Sequence, residues 1–298
     1  LKVIDIKADT SAKAGGDFSF SFTVQNIADG FEAKTGKQPT TWVDEVWLAD
    51  NTDLNKATRK WLLGSYTQQR GLGNQETYTN SQTVTLAPSI DAKYLIVRTN
   101  VSQATYDSIA EITKTNNQGQ LNTLVTNTPA DLQVTQVITQ PQNFSGELTP
   151  ISWTVTNTGG DVWAGTPDWN DVVVISKYPD VSLGRFEVVG TVNHNNAQGL
   201  KNGESYTATT QVRLPVGGDG KYYVFVMSDA VVNNNQLVAK NDMINGDRNS
   251  NGLGYYGGRN YGSDREGTVF ENNQTANNFG QSELNITYRE PDLVFEDI

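Results

Sequence analysis

The chain holds 298 residues, 36% apolar and 18% charged, with 6 Trp, 12 Tyr and 10 Phe. That is room for two ordinary domains with their own cores, and too much aromatic content for a disordered segment. Net charge is −11 with no basic run, which makes nucleic acid and anionic membranes poor partners, since both need a positive patch. No stretch is apolar for long enough to span a bilayer. The lack of Cys fits a cytosolic protein or a large bacterial surface protein better than a small disulfide-stapled one. The sequence starts at Leu1 with neither an initiator Met nor a signal peptide, and reads as a piece of something longer.

In chain order the runs are LKVIDI (1–6), FSFSFTV (18–24), WVDEVWLAD (42–50), the stretch around YTNSQTVTL (78–86), KYLIV (93–97) and LNTLV (121–125). Most alternate apolar and polar residues and are separated by Gly, Asn, Asp and Pro, the pattern of strands with one buried face. The one helix-like segment, NKATRKWLLG (55–64), is short, and its later counterpart SLGRFEVVG reads as turn and strand.

After a linker, VTNTPADL (125–132), the pattern returns. LQVTQV (132–137) matches LKVIDI at an offset of 131, as WTVTN (153–157) matches FTVQN (22–26). WNDVVVISK (169–177) matches WVDEVWLAD, GLKNGESYTATTQVRLPV (199–216) matches GLGNQETYTNSQTVTLAP (71–88), and KYYVF (221–225) matches KYLIV at an offset of 128. VFE (269–271) and NNFGQ (277–281) answer IAE (109–111) and NNQGQ (116–120). Two copies of about seven short strands, each in roughly 120 residues, predict an all-β chain of two tandem immunoglobulin-like antiparallel β-sandwiches. YREPDLVFEDI (288–298) then repeats the PADLQV opening, so a third copy is expected to begin at Pro291.

PADLQVTQV, SWTVTNTG, WNDVVVISKYPDVSLG, GESYTATTQVRLP, GKYYVFVMSDA and VFENNQTANN, in that order, resemble the CARDB domain, the cell-adhesion-related domain found in bacteria. The resemblance covers most of 130–287 and extends more weakly over 1–124, where the closing motif is IAEITKTNN. It implies an immunoglobulin-like sandwich within a large secreted or surface-anchored bacterial protein, and brings no catalytic residues with it.

The second copy carries roughly 32 extra residues within about 233–265 that the first lacks, and a loop this long on a rigid frame is where binding residues tend to sit. Inside it, Asp247, Asn249 and Asn251 stand at alternate positions before Gly252, with the Leu253 carbonyl next, a spacing that wraps a loop around Ca²⁺. Position twelve is Gly258 where an EF-hand has Glu, and the charges from 240 to 266 cancel, so a plain Asn/Gly turn is the competing reading. Tyr255, Tyr256 and Tyr261 offer an aromatic platform for a surface glycan or another extracellular protein, or else pin the loop to its own sandwich.

Elsewhere the signals are bland. His194 lies in VNHNNAQG, opposite Gln68 of the first copy, and reads as an exposed turn residue. Asp44/Asp171 and Asp53/Asp180 recur in both copies and read as strand-end or turn residues. Trp42/Trp169 and Phe22/Trp153 read as core, while Trp47, Trp61 and Trp163 have no aromatic counterpart and are candidates to face a ligand, with edge packing as the more ordinary reading. Asn100, Asn143, Asn273 and Asn285 carry sequons that chance can supply in so Asn-rich a chain. Nothing assembles a nucleophile, a base and an oxyanion site. The expected function is a non-catalytic structural and adhesive module of a large bacterial surface or secreted protein. A carbohydrate-binding module, or an accessory domain of a secreted hydrolase, stands as the alternative.

Overall fold

The computed structural model describes residues 1–27, 40–101, 109, 111, 113–180, 185–233, 236–238, 269–272, 274 and 276–290. Among them every regular element is a strand. The chain divides into two compact units, the first spanning Leu1–Thr128 and the second beginning at Pro129.

The first unit is built from β1 (Lys2–Ala8), β2 (Ser11–Lys13), β3 (Asp17–Gln25), β4 (Thr40–Ala49), β5 (Lys60–Arg70), β6 (Thr77–Thr85), β7 (Ala92–Val101) and β8 (Gln118–Thr126). They form a sheet of order β1-β3-β6 and a second of order β2-β8-β7-β4-β5. The second unit repeats this with β9 (Leu132–Ile138), β10 (Asn143–Phe144), β11 (Leu148–Asn157), β12 (Asp168–Ser176), β13 (Glu187–Asn195), β14 (Ser205–Arg213), β15 (Gly220–Met227) and, after the hairpin β16 (Val231–Asn233) and β17 (Gln236–Val238), β18 (Phe279–Thr287). Its sheets run β9-β11-β14 and β10-β18-β15-β12-β13, strand for strand the order of the first unit. All neighbours are antiparallel except the short β2–β8 and β10–β18 pairs, which are parallel.

Alternation creates each core. In β3, Phe18, Phe20, Phe22 and Val24 are buried while Ser19, Ser21 and Thr23 face outward. These residues meet Trp42, Leu48 and Leu95 from the facing sheet, and in the second unit Ile151, Trp153 and Val155 meet Trp169, Ile175 and Val224. Each such side chain contributes about 1.5–3 kcal/mol on burial. Lys60–Arg70 is a strand, so the helix-like stretch resolves into a turn at 54–56 followed by β5.

Strand pairing corrects one sequence match. Val97 pairs with Val46, and Val226 pairs with Val173, its equivalent in the second unit. The true offset between β7 and β15 is therefore 129, and YLIVRTN (94–100) corresponds to YVFVMSD (223–229). KYLIV and KYYVF align by identity one residue out of register, and a one-residue slip exchanges the two faces of a strand.

Finer details repeat as well. Both units carry a register shift at the same place, between Val46/Trp47 and between Val173/Val174, beside Gly64 and Gly190. Where β8 crosses β1, a Cβ on Gly119 would lie 2.7 Å from Val3, and one on Gly280 would overlap Val134, the matching residue of β9. Glycine at these positions lets the two sheets approach.

Candidate functional site

In each unit the polar heart is one buried aspartate. Asp44 and Asp171 lie inside β4 and β12 with no exposed surface, which overturns the strand-end reading. The reason is register: Asp44 shares its face with Trp42, Val46 and Leu48, and Asp171 shares its face with Trp169, Val173 and Ile175, so both point into the sandwich. Asp53 does serve a turn, accepting the Asn55 N–H at 3.0 Å, and Asp180 is exposed beyond β12.

A buried carboxylate is tolerated only when donors surround it. Asp44 accepts from the Tyr78 hydroxyl at 2.7 Å and the Thr99 hydroxyl at 2.6 Å, with further bonds from Gln68 and the Asn100 backbone N–H. Trp42 donates its indole N–H to Tyr78 at 3.0 Å, completing a Trp–Tyr–Asp relay. The second unit repeats the relay through Trp169, Tyr206 and Asp171, at 3.0 Å and 2.8 Å. Its other donors are the Trp153 indole N–H at 2.7 Å, Ser228 and the Asp229 backbone N–H.

Burial pushes the Asp44 carboxyl up to about 6, against the pull of its donors, and raises Asp171 for the same reason. Burial first, then the adjacent aspartate, holds the Tyr78 and Tyr206 phenols protonated. The arrangement ties the two sheets together, β4 to β6 in the first unit and β12 to β14 in the second.

A second repeated device closes each unit. Asn100 and Asp229 both sit at positive φ, 55° and 50°. Asn100 accepts the Ile109 N–H at 2.7 Å, and Asp229 accepts the Val269 N–H at 3.1 Å. Next to them Glu111 and Glu271 turn inward. Glu271 accepts the Leu132 N–H at 2.7 Å and the Asn278 amide at 2.8 Å, and Glu111 accepts from the backbone nitrogen of Leu1 and from the Asn117 amide in the same pattern. The first strand, the closing strand and the link between them are thereby fastened at one point.

His194 is not a turn residue. It lies in β13 opposite Trp169, half-buried, with its ring stacked 3.7 Å from Tyr206, and desolvation lowers its pKa. Trp61 belongs to the first core, and Trp47 packs with Ala49, Leu54 and Ile96 on the outer side of its sheet while donating to Glu45 at 3.1 Å. Trp163 is half-buried and lies against Gly165, where any Cβ would overlap its ring. Asn100 and Asn143 are buried in hydrogen bonds, so those two sequons are closed to modification.

The sequence-nominated residues Asp247, Asn249, Asn251, Leu253, Tyr255, Tyr256 and Tyr261 lie outside the described residues. Among the described residues no three His, Asp or Glu side chains gather as a metal site. Sequence reading missed the aspartate locks, although the alternation of WVDEVWL already placed Asp44 on the Trp42 face.

No family model and no curated protein matches the chain. Among solved structures it is similar to the CARDB domain of a Pyrococcus furiosus protein, described as in complex with di-metal ions. Identity there is 15%, coverage is 54% of this chain and 96% of that one, and the TM-score is 0.30. Red sea bream transglutaminase aligns at 10% identity over 77% of this chain and 29% of its own, with a TM-score of 0.25. Likenesses of this strength carry no functional argument.

Proposed function

We propose that the chain is a CARDB-like, non-catalytic structural and adhesive segment of a bacterial surface or secreted protein, in which tandem sandwiches carry a displayed connection. The observation that supports this is the pair of clamps at Asn100–Ile109 and Asp229–Val269. The same frame closes in the same way over a link from residue 100 to 109 in one unit and from 229 to 269 in the other. A fold that fastens both ends of a connection, whatever its length, accepts a binding loop at that point without changing its core. The lock around each aspartate serves rigidity, which suits a module that spaces and presents.

On this reading the contact region is the segment holding Asp247, Asn249, Asn251 and Leu253, with Ca²⁺ as its ordering ion, and Tyr255, Tyr256 and Tyr261, with a surface glycan or an extracellular protein as partner. The test is thermal unfolding in Ca²⁺ and in EDTA, on the intact chain and on one lacking residues 236–263. A ligand that binds only the folded form raises the melting temperature. The expected result is that both proteins fold, that Ca²⁺ raises the melting temperature of the intact chain alone, and that glycan binding on an array disappears with the deletion. A deletion variant that no longer folds would overturn the display reading. Equal Ca²⁺ effects on both proteins would move the ion elsewhere.

A further inference from the structure

A strand at the edge of a sheet exposes unpaired N–H and C=O groups, and folded proteins guard such edges with charge, proline, bulges or short length. The described edges of this chain follow that rule with one exception. β2 and β10 are only 3 and 2 residues long. β1 carries Lys2, Asp5 and Lys7 and a register shift, β5 carries Lys60 and Arg70 and a register shift, and β13 carries Glu187 and a register shift. β9 is uncharged but shifted, and β14 ends on Arg213. β6, Thr77–Thr85, has none of these devices: its 9 residues hold no charge and no proline, and its ladder with β3 runs unbroken.

The sequence of β6 is also symmetric about its centre. TYTNSQTVT reads outward from Ser81 as Asn80/Gln82, Thr79/Thr83, Tyr78/Val84 and Thr77/Thr85, each pair alike in chemistry except Tyr78/Val84. Two copies of such a strand, run antiparallel across a twofold axis at Ser81, set uncharged residues against each other at every row and hydroxyl against hydroxyl along the outer one, a self-complementary edge of the kind an isologous interface uses. The outer row already forms a hydroxyl ladder with β3, Ser19–Thr83 and Thr23–Thr79 both at 2.8 Å. A second copy extends that ladder by pairing Thr79 with Thr83 of the second copy, and Ser81 with its own equivalent. On the inner row Gln82 donates to Asn80 at 2.7 Å within one strand, and both amides re-pair across the axis. For a chain of net charge −11, an uncharged edge is where two copies approach with least repulsion.

We propose that β6 is a self-association edge through which two copies of this chain join their three-stranded sheets, antiparallel and centred on Ser81. A strand-to-strand contact of this length buries little area, so the dimer is weak and forms with rising concentration.

The chain has no Cys, so single introduced thiols report the register cleanly. Paired residues of antiparallel strands lie about 4.5–5.5 Å apart at Cα, within disulfide reach. Ser81→Cys is expected to give a covalent dimer on mild oxidation. Thr83→Cys is expected to stay monomeric, and Thr79→Cys with Thr83→Cys together to cross-link. Thr209→Cys on the equivalent β14 edge serves as the control that does not dimerise. In sedimentation equilibrium, Ser81→Lys sets two like charges against each other and is expected to weaken self-association at least about tenfold. Thermal melting of each reduced variant shows that the fold is intact. A Ser81→Cys chain that folds yet stays monomeric on oxidation, cross-linking of Thr83→Cys alone, or growth beyond dimers would each overturn the proposal.

Discussion

The two units hold the same buried carboxylate with different hands. In the first, Phe22 has no donor to offer Asp44, and Gln68 supplies the bond from β5. In the second, Trp153 replaces Phe22 and donates directly to Asp171, and the Gln68 position becomes His194, which stacks on Tyr206 instead. Volume is exchanged alongside: Phe22 packs against Tyr66, ring centroids 6.4 Å apart, whereas the larger Trp153 shares its core with Val192, which stands at the place of Tyr66. What the fold requires is a satisfied carboxylate at that point, and which neighbour satisfies it is free to change.

Removing the acceptor breaks the comparison most severely. Asp171→Ala leaves the Trp153 indole N–H and the Tyr206 and Ser228 hydroxyls facing a void, and is expected to cost about 3–5 kcal/mol. Hydrogen exchange by mass spectrometry on the intact chain should show lost protection in β11, β12 and β14. Asp44→Ala should do the same to β3, β4 and β6. If either change were tolerated, the lock would not be what joins the sheets.

Titration separates the units next. The Asp44 carboxyl is raised from 3.8 to about 6 in the folded state, so the folded form binds its proton more tightly than the unfolded one. Its contribution is present in full below pH 3.8 and lost as pH rises through about 6, a span worth about 3 kcal/mol. Asp171, also raised, acts in the same direction. His194 acts in the opposite one: desolvation depresses it below 6.5, so its contribution is present above that value and lost as pH falls through the folded one. Between pH 7 and 5 the first lock should tighten, while in the second His194 works against the gain from Asp171. Exchange rates corrected for intrinsic pH dependence measure this. Asp44→Asn should flatten the response of the first unit, and His194→Gln should enlarge that of the second by removing the opposing group.

Much of this architecture is legible in the sequence, because strands advertise themselves by period two and a repeat shows every motif twice. What escaped has a common cause. KYLIV and KYYVF are apolar on both faces, so identity alone could not fix which residue points inward, and the register came out one residue wrong. Asp44 and His194 were judged by residue type, and both types favour turns and surfaces, yet each takes its place from the alternation of its strand. The partners of Asp44, Tyr78 and Thr99, come from strands distant in sequence, and those of His194, Trp169 across the sheet and Tyr206 on the following strand, meet it only once the strands have paired and packed.

Exchanging the two solutions sharpens the comparison further. Phe22→Trp alone overpacks the first core against Tyr66 and should cost about 1–3 kcal/mol. Adding Tyr66→Val recreates the Trp153–Val192 arrangement and should recover most of that loss. In the recovered background Gln68→Ala should be nearly silent, whereas in the parent it should cost about 1–3 kcal/mol by stripping a donor from Asp44. A double-mutant cycle read by chemical denaturation gives the coupling directly.

The smallest effect lies in a turn. Gln75 and Gly203 occupy the same place before β6 and β14, each donating its N–H at 2.7 Å to the carbonyl of Asn26 or Asn157. Both adopt the left-handed conformation, with φ of 63° and 81°. For glutamine that backbone is strained, whereas for glycine it is not. Against this, Gln75 receives a side-chain bond from Gln25 at 3.2 Å, but the pair is exposed and replaces bonds to water. Gly203 also has more freedom to lose from the unfolded chain, which offsets part of the relief. Relief of strain is the larger of these, so Gln75→Gly is expected to stabilise the first unit by about 0.5–1 kcal/mol, and Gly203→Gln to destabilise the second by a similar amount. Denaturant midpoints that moved the other way would mean that the Gln25–Gln75 contact, and not the backbone, decides this turn.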